Sequence, residues 1–260
     1  MELGLSGKSV LITGASKGIG AGLARSFAAE GANLHLTARS EELLRGLQSE
    51  IVEAQGVAVE IFPADLSESA SRRRLFEACG EVDILVNNAG AIPSGALEEV
   101  DEAAWRRGWE LKVFGYIELT RLFFADMKDR GDGVIVNVIG NGGEVFDANY
   151  ICGAAGNASL MAFTRALGGT SLDHGVRVAG INPGPVLTDR IIGFLKKRAG
   201  QDLGDEARWE ELCQRYPLGR PAAVKELTDV VLFLASPRCS YVSGTIWTVD
   251  GGIASRNSII

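Results

Sequence analysis

Ser9-Val10-Leu11-Ile12-Thr13-Gly14-Ala15-Ser16-Lys17-Gly18-Ile19-Gly20 is the stretch that decides the fold. A short run rich in β-branched residues, Ser9–Thr13, ends in a glycine loop that opens directly into the helical pattern Leu23, Ala24, Phe27, Ala28. Strand, glycine turn and helix in that order make a phosphate cradle. Glycine lets the backbone approach closely, and the first helical turn offers unpaired N–H groups and a partial positive charge. Gly14, Ser16, Lys17, Gly18, Ile19 and Gly20 are therefore the expected contacts of a dinucleotide pyrophosphate.

Working outward, further apolar runs follow at Asn33–Thr37, Val57–Phe62, Val82–Val86, Val134–Val138, Val176–Ile181 and Thr245–Val249. The segments between them carry helical spacing, as in Leu43, Leu44, Leu47, Ile51 and in Leu160, Phe163, Thr164, Leu167. Alternating strands and helices predict an α/β fold: a Rossmann-type, doubly wound, parallel seven-stranded sheet in three layers, with right-handed crossovers. The 260 residues, 46% of them hydrophobic, suffice for a single domain spanning 1–260 with a sizeable core. Only the stretch from about Thr188 to Pro221 breaks the rhythm. It is charged, carries Trp209 and Tyr216, and separates two strands by more than one helix, which suggests a lid over a substrate pocket.

The residues after the second strand select the cofactor. Binding of NAD favours a carboxylate there for the ribose 2′-hydroxyl, whereas this chain has Thr37-Ala38-Arg39-Ser40. Arg39 and Lys17 would flank a 2′-phosphate, so NADP(H) is the expected cofactor. A formal net charge of −7 argues against nucleic acid or an anionic membrane as partner. Cys79, Cys152, Cys213 and Cys239 lie far apart with no histidine nearby, so no metal site is expected and the thiols read as reduced and buried. No apolar run approaches the length of a membrane span, and the glycine loop begins too early to leave room for a secretory signal, so a cytoplasmic protein is expected.

With Asn87-Asn88-Ala89-Gly90 after the fourth strand and Asn182-Pro183-Gly184 after the sixth, the chain resembles the short-chain dehydrogenase/reductase family over nearly its whole length. The resemblance implies that Gly14, Gly18 and Gly20 form the nucleotide loop and that Asp65 and Leu66 contact the adenine. It likewise implies that Asn88, Ala89 and Gly90 line the ribose side, and Pro183, Gly184, Val186 and Thr188 the nicotinamide side. Tyr241-Val242-Ser243-Gly244 and Val249-Asp250-Gly251-Gly252 resemble the family's C-terminal strand, which implies a homodimer or homotetramer.

The family's chemistry rests on an asparagine, a serine, a tyrosine and a lysine. Placing this chain on that pattern puts Lys112, Gly140, Gly153 and Asn157 at those positions. Two glycines offer no polar group, and neutral Asn157 lacks the cationic field that would lower a tyrosine pKa. Lys112 and Tyr150 are the candidate replacements. A long side chain at 112 could enter the space left by the glycines to polarise a carbonyl or act as base or nucleophile, or it could merely cap local polar groups. Tyr150 lies three residues before Gly153, beside Cys152, and its hydroxyl could stand in for the missing one or simply pack. Asn157 would retain a cofactor contact. The leading expectation is an NADP(H)-dependent oxidoreductase acting on a small, hydrophobic carbonyl or enone. The alternatives are a non-redox lyase or isomerase at Lys112, and a catalytically silent NADP-binding subunit. Trp105, Trp109, Trp209, Phe146, Phe194 and Tyr216 are candidates for an apolar pocket, or for core and interface packing.

Overall fold

Apolar side chains alternate along each central strand, and every strand needs a cover on both faces. In the computed structural model, which describes residues 1–256, β1 (Ser9–Thr13) sends Val10 and Ile12 to one face and Leu11 to the other. The same division recurs in β4 (Ile84–Asn87), β5 (Gly133–Val138) and β6 (Val176–Pro183). With β2 (Asn33–Ala38), β3 (Val59–Pro63) and β7 (Ile246–Val249), they form one parallel seven-stranded sheet in the order β3-β2-β1-β4-β5-β6-β7. Burial on both faces is the rule for parallel sheets, because their crossovers are helices. The expected fold is what forms, with strand ends displaced by one or two residues, most at β3 and β4.

One face is covered by α1 (Gly18–Ala29), α2 (Glu41–Gln55) and α9 (Val224–Ala235). The other is covered by α3 (Ser69–Cys79), by the long helix made of α4 (Glu102–Trp109) and α5 (Gly115–Arg130), and by α6 (Ile151–Ser171). Between α4 and α5 one π-helical turn, Glu110–Phe114, widens the helix without interrupting it. Such turns often mark functional sites. Buried Arg72 of α3 secures it, donating to Glu110 O at 3.4 Å and Glu110 Oε1 at 2.8 Å, and also to Leu66 O at 2.7 Å.

The 188–221 stretch folds as α7 (Asp189–Leu203), the short α8 (Trp209–Leu212) and a series of 3₁₀ turns. It has a small apolar cluster of its own, in which Trp209 and Tyr216 pack against Leu195, Ala199, Leu212 and Cys213. No helix among the described residues is long and apolar enough to cross a membrane.

Helix α9 ends against a buried cation. Arg177 of β6 donates to the carbonyls of Leu234, Ala235, Ser236 and Cys239 at 2.6–3.1 Å, satisfying groups that a helix C-terminus leaves unpaired. Arg177→Met should lower unfolding stability by on the order of 3 kcal/mol, because the carbonyls stay buried when their donor is removed. Denaturant unfolding checks this, and a loss below about 0.5 kcal/mol would show that the carbonyls find other donors.

Candidate active site

The parallel sheet brings the C-terminal ends of β1, β4, β5 and β6 together, and the loops from those ends line one cleft. At β1 the glycine loop closes tightly. A Cβ on Gly20 would stand 2.2 Å from Gly14 O, and one on Gly14 would stand 2.9 Å from the Ala89 Cα. Helix α1 has Lys17 as its N-cap, with no side-chain cap bond and no acidic residue in its first turn, so its leading N–H groups are left without a side-chain acceptor. That arrangement suits a phosphate.

A buried hydrogen-bond chain ties the neighbouring loop in place. Thr13 Oγ1 accepts from the backbone N–H of Asn88 at 2.8 Å and of Ala89 at 3.0 Å, while Asn88 Nδ2 returns a bond to Thr13 O at 2.9 Å. At the outer end of the cleft, Arg39 and Lys17 are both exposed. Asp65 Oδ1 accepts from the Ser67 amide at 2.9 Å and hydroxyl at 2.7 Å. These bonds hold the Asp65 carboxyl below its ordinary pKa, and nearby Arg39 adds to the effect. Arg39 and Asp65 are thus neighbours of opposite charge.

The inner end is built from β5, the π-helical turn and α6. Gly140 follows β5 at φ 131°, ψ 140°, a conformation that side chains resist. A Cβ there would stand 3.1 Å from Asn157 Nδ2. Asn157 is 3% exposed, and its Oδ1 has no hydrogen-bond partner within the protein. A buried acceptor left free is costly unless something donates to it. Two turns before Asn157, at the N-cap of α6, Tyr150 curls its ring back over the helix. A Cβ on Gly153 would lie 2.0 Å from Tyr150 Cζ, so the ring fills the volume that a side chain at 153 would need. Burial raises the Tyr150 pKa, against a lowering influence from Arg190.

Lys112 stands in the π-helical turn. Its ammonium donates to Ile139 O at 2.7 Å and Val138 O at 3.3 Å, and lies 5.5 Å from the Tyr116 ring centre. The side chain runs over Gly90, where a Cβ would collide with it at 2.8 Å. Burial, with Arg190 adding repulsion, pulls the Lys112 pKa down to about 7. The structure therefore gathers Lys112, Tyr150 and Asn157 around the end of β5.

Arg190 escaped the sequence reading. Its signal was a cation two residues beyond Thr188, at the start of a helix whose orientation the sequence does not reveal. Nor did the sequence reveal the partners of Asn87, whose Nδ2 donates to Thr120 Oγ1 and Asn137 Oδ1, while Asn137 Nδ2 donates to Thr164 Oγ1 in one buried ladder.

Burial raises the Cys152 thiol pKa, which keeps it protonated. Trp105 and Trp109 pack with Tyr150 against Ile92, Val100 and Cys152, Trp109 Nε1 donating to Cys152 O at 3.1 Å, and both also border an open groove with Phe114. Phe146 and Phe194 are exposed, at 78% and 54%, on the loop after β5 and on α7. Among the described residues no cluster of His, Cys, Asp and Glu is arranged to hold a metal.

Comparison with known proteins places this geometry. The short chain dehydrogenase family model matches residues 8–198. An uncharacterised oxidoreductase of Thermotoga maritima is 30% identical over 253 residues, covering 96% of this chain and 98% of that one. Galactitol 2-dehydrogenase (L-tagatose-forming) of Cereibacter sphaeroides is 34% identical over 253 residues, covering 95% of both. Among solved structures, L-sorbose reductase from Gluconobacter frateurii, complexed with NADPH and L-sorbose, superimposes with a TM-score of 0.92 at 31% identity. That match covers 99% of this chain and 100% of the other.

Two outcomes follow for stability. Gly140→Ser should cost about 1–3 kcal/mol, because serine must adopt an unfavourable φ beside Asn157; an unchanged melting temperature would contradict the geometry. The Lys112 pKa of about 7 lies below its ordinary 10.5, so the unfolded chain binds more protons than the folded one between those values. Stability should therefore rise with pH across that window. In Lys112→Met the rise should flatten, as read by denaturant unfolding at pH 7 and at higher pH.

Proposed function

Since the chain belongs to the short-chain dehydrogenase family, we propose that it is an NADP(H)-dependent oxidoreductase of small carbonyl compounds in which Tyr150 takes over the proton from an absent tyrosine at 153. The observation that carries this reading is the Tyr150 ring lying over Gly153, 2.0 Å from where a Cβ would stand. The usual Ser, Tyr, Lys and Asn positions are held here by Gly140, Gly153, Asn157 and Lys112. One aromatic side chain from the preceding turn then occupies the place of another.

The remaining residues fit an NADP cofactor. Gly14, Ser16, Lys17, Gly18, Ile19 and Gly20 would hold the pyrophosphate, with Arg39 and Lys17 on the 2′-phosphate. Asp65 and Leu66 would border the adenine, Asn88, Ala89 and Gly90 the ribose side, and Pro183, Gly184, Val186 and Thr188 the nicotinamide side. The free Asn157 Oδ1 would accept from a hydroxyl of the nicotinamide ribose. When bound, the nicotinamide supplies a hydride to the carbonyl carbon or accepts one from the alcohol. Tyr150 donates its hydroxyl proton to the carbonyl oxygen in reduction and recovers it in oxidation. Arg190, which opposes the rise in the Tyr150 pKa, favours the phenolate that this transfer leaves behind.

Lys112 acts as a positioning residue. Bound to the carbonyls of Val138 and Ile139, it fixes the end of β5 beneath Gly140, and its charge varies near neutrality. The 188–221 segment, with its own apolar cluster and exposed Phe194, would serve as the lid over an apolar pocket. The half-exposed edge strand β7 would serve a homodimer or homotetramer.

Tyr150→Phe should lower kcat by about 10² to 10⁴ with little change in NADPH affinity. Tritium or deuterium transfer from labelled NADPH to a panel of ketones checks this. Lys112→Met should remove a limb near pH 7 from the kcat/KM profile. Undiminished hydride transfer in Tyr150→Phe, together with its loss in Lys112→Met, would make Lys112 the proton carrier instead. Arg39→Ala should weaken NADPH and leave NADH unchanged in a tryptophan-fluorescence titration.

A further inference from the structure

Arg72 of α3 is 3% exposed, and its guanidinium bridges two separate segments. In the loop after β3, Nη1 donates to Leu66 O at 2.7 Å and to Ser67 O at 3.2 Å. Where the π-helical turn begins, Nη1 donates to Glu110 O at 3.4 Å and Nη2 to Glu110 Oε1 at 2.8 Å. Glu110 is the one carboxylate that pairs with Arg72 among the described residues.

The two segments also pack directly together. A Cβ on Gly115, the first residue of α5, would stand 3.5 Å from Glu110 O and 3.7 Å from Leu66 O, so both carbonyls converge on one bare helical position. Leu66 and Leu111 of the turn share one apolar cluster with Leu119. Arg72 Nε is buried and has no partner in the protein, so the guanidinium is satisfied only through its bonds to these two segments. A charge taken out of water depends on every bond it makes, and displacement of one segment therefore costs the other its donor.

The loop carries Asp65 and Leu66, which the layout given above puts at the adenine, and the turn carries Lys112, seated on the carbonyls of Val138 and Ile139 at the inner end of the cleft. We propose that Arg72 is a positioning residue that couples these two ends, so that the π-helical turn holding Lys112 also sets the loop that receives the adenosine half of NADP(H). The proposal rests on that layout of the cofactor. It deepens the layout by making the adenosine site depend on a residue, Glu110, that borders no part of the adenine.

The test is calorimetric titration of the intact protein with adenosine 2′,5′-bisphosphate, which has the adenosine half of NADP and no nicotinamide. The parent should bind it, and Glu110→Ala should weaken it about three- to tenfold, because a loop released from its anchor must be ordered on binding. Glu110→Gln keeps an oxygen for Arg72 Nη2 and should stay within about twofold of the parent. Arg72→Lys keeps the charge but cannot fork to both segments, so it should bind as weakly as Glu110→Ala. Cooperative denaturant unfolding shows which variants are folded, and if Arg72→Lys is not, the two Glu110 variants decide, since that side chain is half-exposed. Equal affinity in the parent and Glu110→Ala overturns the coupling and leaves the cofactor layout standing. Equal weakening in Glu110→Ala and Glu110→Gln also overturns it, because loss of the carboxylate charge would then be the cause. No binding by the parent refutes the placement of the adenosine half at Asp65 and Leu66, and the coupling with it.

Discussion

Every residue of the inner site depends on one buried hydrogen-bond ladder. Asn87 at the end of β4 donates to Thr120 on α5 at 3.1 Å and to Asn137 on β5 at 2.9 Å, and Asn137 donates to Thr164 on α6 at 2.9 Å. Thr164 in turn donates to Leu160 O at 2.7 Å. Two strand ends and two helices are thereby locked in register within an otherwise apolar interior, where a misplaced polar group would be left unpaired at a cost of about 1–3 kcal/mol. The long helix carries Lys112, α6 carries Tyr150 and Asn157, and β5 leads into Gly140. Their mutual placement follows from this lock.

Given that frame, the small and the long residues of the site complement one another. Gly153 leaves room on α6, and Tyr150 fills it from the preceding turn. Gly90 leaves room beside β4, and the Lys112 side chain fills that. Gly140 adopts a backbone conformation that a side chain would resist, and Asn157 packs against its open side. A tyrosine placed at 153 would have to displace the ring already there. Serine at 140 would strain the backbone. The site is thus packed so that several small residues and several long ones depend on each other, as expected of close-packed interiors.

The fold was legible because its signals are local and repeated. Alternation in Val10-Leu11-Ile12 and Val134-Ile135-Val136 marks strands buried on both faces, and the loop from Gly14 to Gly20 marks where the first crossover begins. Lys112, Tyr150 and Asn157 could be singled out because the flanking motifs fix the count of residues between them. What they touch was not legible. The ring of Tyr150 reaches Gly153 because the residue before α6 has φ −135° and ψ 32°, an irregular geometry with no sequence period. The widened turn at Glu110–Phe114 depends on Arg72, a residue of another helix, and the influence of Arg190 depends on where α7 lands. Each is a long-range contact, and periodicity carries no information about those.

The central claim is that Tyr150 stands in the reacting position while Asn157 holds the nicotinamide ribose. A crystal structure of the NADP⁺ complex tests it most directly. In that complex the Tyr150 ring should lie over Gly153 with its hydroxyl facing the hydride-bearing carbon of the nicotinamide, and Asn157 Oδ1 should lie within about 2.6–3.2 Å of a ribose hydroxyl. A Tyr150 ring lifted off Gly153, with the nicotinamide side of the cleft lined only by Gly140, Gly153 and Lys112, would contradict it.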